Sequence, residues 1–119
     1  MIAHGKDIKI FAGNSNRPLA EAGLRRAGLD RYFRGILTCA EAGKGKEDPL
    51  IYEKCLTRLR CRKQGCVVFE DSLYAIRTAK AAGFRVAGVY DGCSEADQPE
   101  IRALADYYIP SYGEWLEPL

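Results

Sequence analysis

The chain has 119 residues, 47% of them hydrophobic and 29% charged, with a formal net charge of +2 at pH 7. That length suits one domain able to bury roughly two thirds of its unfolded surface, and the near-balanced charge excludes a strong field for steering acidic partners. No apolar run approaches the ~18 residues that a membrane span needs.

From the start of the chain, residues 7–12 read as a strand, followed by a helix opened by Asn16 and Pro18 and closed by Gly28. Leu19, Ala22, Leu24 and Ala27 form its expected apolar stripe. A short strand at residues 35–38 leads into a lysine-bearing loop and a helix over residues 49–60. The run 66–69 is a strand, residues 72–82 are a helix stopped by Gly83, and residues 85–90 are another buried strand. A polar turn at residues 91–96, a helix at 98–105 and a short edge strand at 107–109 precede a tail containing Trp115. Short apolar runs alternating with amphipathic stretches predict an α/β fold: a Rossmann-like parallel sheet with helices on both faces, as one domain over residues 1–119.

Several chemistries are disfavoured. Cys39, Cys55, Cys61, Cys66 and Cys93 are an odd set with no CxxC pair and no histidine at zinc-finger spacing. Cys55 and Cys66 fall on apolar faces and read as buried small hydrophobes, which with the lack of a signal peptide suits a reducing cytoplasm. A Ser/His/Asp or Cys/His nucleophile would depend wholly on His4, near the terminus, and is discounted. The basic run RLRCRK at residues 58–63 falls where a helix should end and lacks interleaved aromatics, so solvated cations are expected there rather than a nucleic-acid patch.

The remaining candidates share one edge. Gly13, Asn14, Ser15, Lys46, Glu70 and Asp71 all lie at or just beyond the carboxyl ends of predicted strands, where open α/β sheets bind ligands. Glu70 and Asp71 could coordinate Mg²⁺, a cation that prefers hard oxygen ligands, although acids beside a helix start are also favoured with no metal, by ~0.3–1 kcal/mol. Lys46 could neutralise a phosphate or be an ordinary solvated lysine. Asn14 and Ser15 could offer donors to an anion, a role compatible with capping by Asn16.

Taken together, a strand ending in GNSN, the loop GKGKEDPLIY, then VVFEDSLYAIRTAKAAGF and VAGVYD resemble the second, third and fourth motifs of the haloacid dehalogenase-like hydrolases, in that family's order. The resemblance is to the branch containing β-phosphoglucomutase and small sugar-phosphate phosphatases, and runs from about residue 7 to residue 116. It implies Mg²⁺-dependent phosphoryl transfer on a small phosphorylated metabolite. Lys46 then matches the catalytic lysine that holds the phosphoryl group and the nucleophile, Asp71 the Mg²⁺ ligand, and Glu70 its neighbouring acid. The family's phosphate-binding Ser or Thr falls on Gly13, followed by Asn14 and Ser15. Glu47 and Asp48 are a second departure, since acids beside the phosphate lysine weaken an anion site unless they point outward.

The family's first motif, a DxD on the central strand whose first aspartate is the nucleophile, occurs nowhere in the sequence. The helical cap is absent as well. The resemblance therefore implies a C-terminal core, truncated or split from its first strand and without turnover alone. The alternative is a non-catalytic binding or assembly domain with a vestigial phosphate and Mg²⁺ pocket. A sheet lacking its central strand leaves two unpaired inner edges. Direct closure of those edges, self-association or a complementing segment is expected, and a filling strand from within this chain would count against the motif placement.

Overall fold

The computed structural model describes residues 1–4, 8–13 and 16–110. Apolar and β-branched runs become β1 (Ile2–His4), β2 (Ile8–Gly13), β3 (Gly35–Thr38), β4 (Val67–Glu70), β5 (Arg85–Val89) and β6 (Tyr107–Ile109). Between them lie α1 (Arg17–Arg26), α2 (Cys39–Ala42), α3 (Leu50–Leu59), α4 (Leu73–Ala81) and α5 (Gln98–Leu104). The polar stretch predicted after β5 coils into a 3₁₀ turn, Gly92–Asp97. Of the predicted tail, Trp115 lies outside the described residues.

The strands form a six-stranded sheet in the order β3-β2-β1-β4-β5-β6. Pairs β2/β3, β4/β5 and β5/β6 are parallel, as βα crossovers require. At the centre, however, β1 runs antiparallel to both β2 and β4. This corrects two expectations: the sheet is mixed, and the chain itself fills the central slot. Residues 1–4 immediately precede β2, and so short a connection permits only a hairpin-like antiparallel return. The register pairs Ile2 with Ile10 on one side and with Val68 on the other, so Ile2 is fully buried and the inner edges of both neighbours find backbone partners.

The main core lies on one face of the sheet. Ile2, Ile10, Leu37, Val68 and Val86 meet Ile51, Tyr52, Cys55 and Leu59 of α3, Ile76 and Ala79 of α4, and Ile101 of α5. Alternate strand residues Ala3, Phe69, Ala87, Val89 and Ile109 form a smaller cluster with Met1 on the opposite face. Gly88 fits beneath α5 because a Cβ there would come within 2.7 Å of Ile101 Cγ2.

Helix ends follow local chemistry. Asn16 caps α1, its Oδ1 accepting from the Leu19 N–H at 3.0 Å. Thr38 and Glu41 form a reciprocal capping box on α2. Gly83, at φ +92°, turns the chain after α4, a conformation that strains residues with a Cβ. The predicted stripe of α1 is only partly right: Leu24 is buried, but Leu19 is 63% exposed and Ala27 is exposed, and Ala20 takes the inward place instead. Among the described residues, no helix is long and apolar enough to cross a membrane.

Candidate active site

Because β2 and β4 run in the same direction, the ends carrying Gly13 and Glu70 open on one edge of the sheet. A pocket of about 210 Å³ lies there, lined by Gly13, Lys46, Glu70 and Asp71 together with Met1 and Phe69. Four of the predicted residues thus converge. The other two, Asn14 and Ser15, lie outside the described residues.

Lys46 is the centre of the arrangement. It comes from the loop between α2 and α3, yet it is only 7% exposed. Its Nζ lies 2.7 Å from Glu70 Oε2, and the two side chains are 9% and 5% exposed. Tyr52, on the buried face of α3, donates its hydroxyl to the same oxygen at 2.6 Å. Burial, the Glu70 charge and this hydrogen bond all push the Tyr52 phenol far above its ordinary range, so it stays a donor at any physiological pH. Sequence reasoning missed Tyr52. The available signal was its place two residues into the helix that follows the lysine loop, where an inward tyrosine must find a partner for its hydroxyl.

Glu47 and Asp48 do not crowd the lysine. Asp48 Oδ1 accepts from the Leu50 N–H at 3.0 Å, at the start of α3, and its Oδ2 lies 3.4 Å from Lys44 Nζ. Glu47 is exposed, with its carboxylate against Gly45. Gly13 also has a local cause: a Cβ there would meet the Phe11 ring at 2.6 Å, so the ring occupies the room that a Ser or Thr side chain would need. The Phe11 ring is itself braced edge-on against Phe33 at 5.8 Å.

At the other wall, Asp71 accepts from the Ser72 hydroxyl at 3.3 Å and is half-buried. Ser72 occupies the cap position of α4 without making a side-chain capping bond. The donor set does not by itself suit Mg²⁺. Glu70 Oε2 already faces a lysine ammonium and a phenol, which oppose a second cation at that oxygen. Among the described residues no group of three or more His, Cys, Asp or Glu could hold a metal ion. Asp71 is the carboxylate left to contribute. His4 packs elsewhere, its ring against Gly65.

A family model for haloacid dehalogenase-like hydrolases matches residues 3–83. Fructose-1-phosphate phosphatase YqaB of Escherichia coli is 31% identical over 86 residues, covering 72% of this chain and 46% of that protein. A phosphorylated carbohydrates phosphatase of Thermotoga maritima is 40% identical over 87 residues, covering 71% and 40%. Among solved structures, CbbY of Rhodobacter sphaeroides in complex with xylulose-1,5-bisphosphate superposes with a TM-score of 0.75 at 28% identity, covering 88% of this chain and 47% of that one. A Deinococcus radiodurans hydrolase of the same family, with bound phosphate and sodium, gives a TM-score of 0.69 at 27% identity, covering 87% and 48%. The chain therefore spans less than half the length of these relatives. The strand found at the centre of the sheet does not displace the motifs, since the matched residues contain both the lysine loop and the Glu70–Asp71 pair. On this match and these likenesses, the chain belongs to the haloacid dehalogenase-like hydrolases.

Proposed function

We propose that this chain supplies the phosphate-holding half of a Mg²⁺-dependent phosphatase or phosphomutase site for a small phosphorylated metabolite, and that it does not turn over alone. The observation that carries this reading is the buried Lys46 at the strand edge, aimed by Glu70 and Tyr52 into the pocket it shares with Gly13 and Asp71. A lysine fixed in this way stabilises phosphoryl charge without reorganising. Gly13 would offer its backbone N–H. Asp71 would contribute one ligand to Mg²⁺, and no chemical step is assigned to the ion here. The names of the relatives, a fructose-1-phosphate phosphatase and a phosphorylated carbohydrates phosphatase, support the substrate class.

Covalent phosphoryl transfer needs a free carboxylate facing the phosphorus, and Glu70 is committed to Lys46. The test is a pair of assays on the purified chain. Inorganic phosphate should bind, and Lys46→Ala should abolish the binding. Hydrolysis of p-nitrophenyl phosphate should stay at background. Turnover that survives purification and vanishes in Lys46→Ala would reveal a nucleophile in the chain and overturn the second half of the proposal.

The occupation of the central slot by β1 favours a second reading, a binding or assembly domain. An added strand peptide ending in Asp-x-Asp separates the two. The first reading expects Mg²⁺-dependent turnover to appear, and the second expects none.

A further inference from the structure

Away from the pocket, at the opposite end of β4, two cysteines meet. After α3 the chain turns at Arg60, which holds φ +54°, and the Cys61 N–H returns to Leu56 O at 3.2 Å. A 3₁₀ turn at Lys63–Gly65 then folds the chain back, with the Cys66 N–H on Lys63 O at 3.1 Å. These turns bring the two thiols into hydrogen-bond contact. Both pack on the same core: Cys66 is fully buried and Cys61 is half-buried at its margin. The sequence reading of Cys66 as a buried small hydrophobe is right about its burial and silent about its neighbour.

We propose that Cys61 and Cys66 form a reversible intramolecular disulfide when the protein meets a hydroperoxide. The asymmetry of the pair assigns the roles. Cys61 is the sulfur reached from solvent, and it stands between Arg60 and Arg62, cations of the kind that surround reactive cysteines. Burial holds the Cys66 thiol up at about 12, so it keeps its proton until a partner sulfur is oxidised. In the first step the Cys61 sulfur attacks the peroxide, forming an S–O bond as the O–O bond breaks, and the alcohol or water departs. In the second the Cys66 sulfur displaces the hydroxyl from Cys61, and the Cys66 proton leaves with it as water. Two thiols are oxidised by two electrons and one peroxide is reduced. The bond would staple the end of α3, which carries Tyr52, to the start of β4, which carries Glu70.

The experiment treats the reduced full chain with a small excess of hydrogen peroxide, blocks the remaining thiols with N-ethylmaleimide, and reads intact mass and peptide linkage. Loss of two of the five free thiols, linkage of Cys61 to Cys66 and full reversal by dithiothreitol are expected. Cys61→Ser should retain all four of its thiols. Cys66→Ala should stop at a Cys61 sulfenic acid that dimedone traps, a readout that needs only the loop to be intact. Five thiols surviving in the parent chain, linkage between any other pair, or two thiols still lost in Cys61→Ser would overturn the proposal.

Discussion

Replacing Lys46 with methionine tests the centre of the site. Methionine keeps the unbranched stem but removes the ammonium, leaving the Glu70 carboxylate 5% exposed with the Tyr52 hydroxyl on Oε2. Breaking a buried pair from one side costs about 3–5 kcal/mol, against 0–1 kcal/mol for an exposed pair, because the remaining charge stays desolvated. Urea unfolding followed by circular dichroism measures the loss. With a slope of about 1.5 kcal/mol/M, the midpoint of Lys46→Met should fall by about 2–3 M. Glu70→Gln alone should also be costly, since it strands the lysine. The double variant carries neither charge and should lose less than the two single losses together, with a coupling of about 2 kcal/mol. A single-variant loss under about 1 kcal/mol, or strict additivity, would show that Lys46 reaches water and that the pair does not organise the pocket.

Three further outcomes follow. Tyr52→Phe removes one hydrogen bond to a charged oxygen without changing the packing against Phe84, and should cost roughly 1.5–3 kcal/mol by the same unfolding assay; a loss near zero would mean the hydroxyl is dispensable to Glu70. Calorimetric titration should find weak Mg²⁺ binding that Asp71→Asn abolishes, and equal affinity in the two proteins would remove Asp71 from the metal site. The third outcome concerns pH. Arg17, whose Nε lies 2.7 Å from the Glu41 carboxylate, and the Thr38 N–H hold Glu41 down at about 2 from an ordinary 4.5. The unfolded chain therefore takes up this proton first, so the contribution is whole above pH 4.5 and is lost as pH falls toward 2. Melting temperature should drop across that window in the parent and less steeply in Glu41→Gln; parallel curves would refute the assignment.

What could be read along the chain is what short-range physics decides. The helix starting after Asn16 follows from a side chain bonding an N–H three residues away, and the stop at Gly83 from a backbone angle that only glycine adopts cheaply. Parallel βα order follows from apolar runs alternating with amphipathic ones, and that order alone places Gly13, Lys46, Glu70 and Asp71 on one edge. Tertiary structure decided the rest. Leu19 fits a helical period but faces solvent, because the packing of α1 against β3 chooses which side turns inward. Tyr52 and Glu70 are 18 residues apart, and no local pattern announces that one will hold the other. β1 is three residues long, too short for any periodicity to register. It becomes a strand because two apolar edges on either side of it would otherwise be left unpaired, and its direction is set by the short connection to β2.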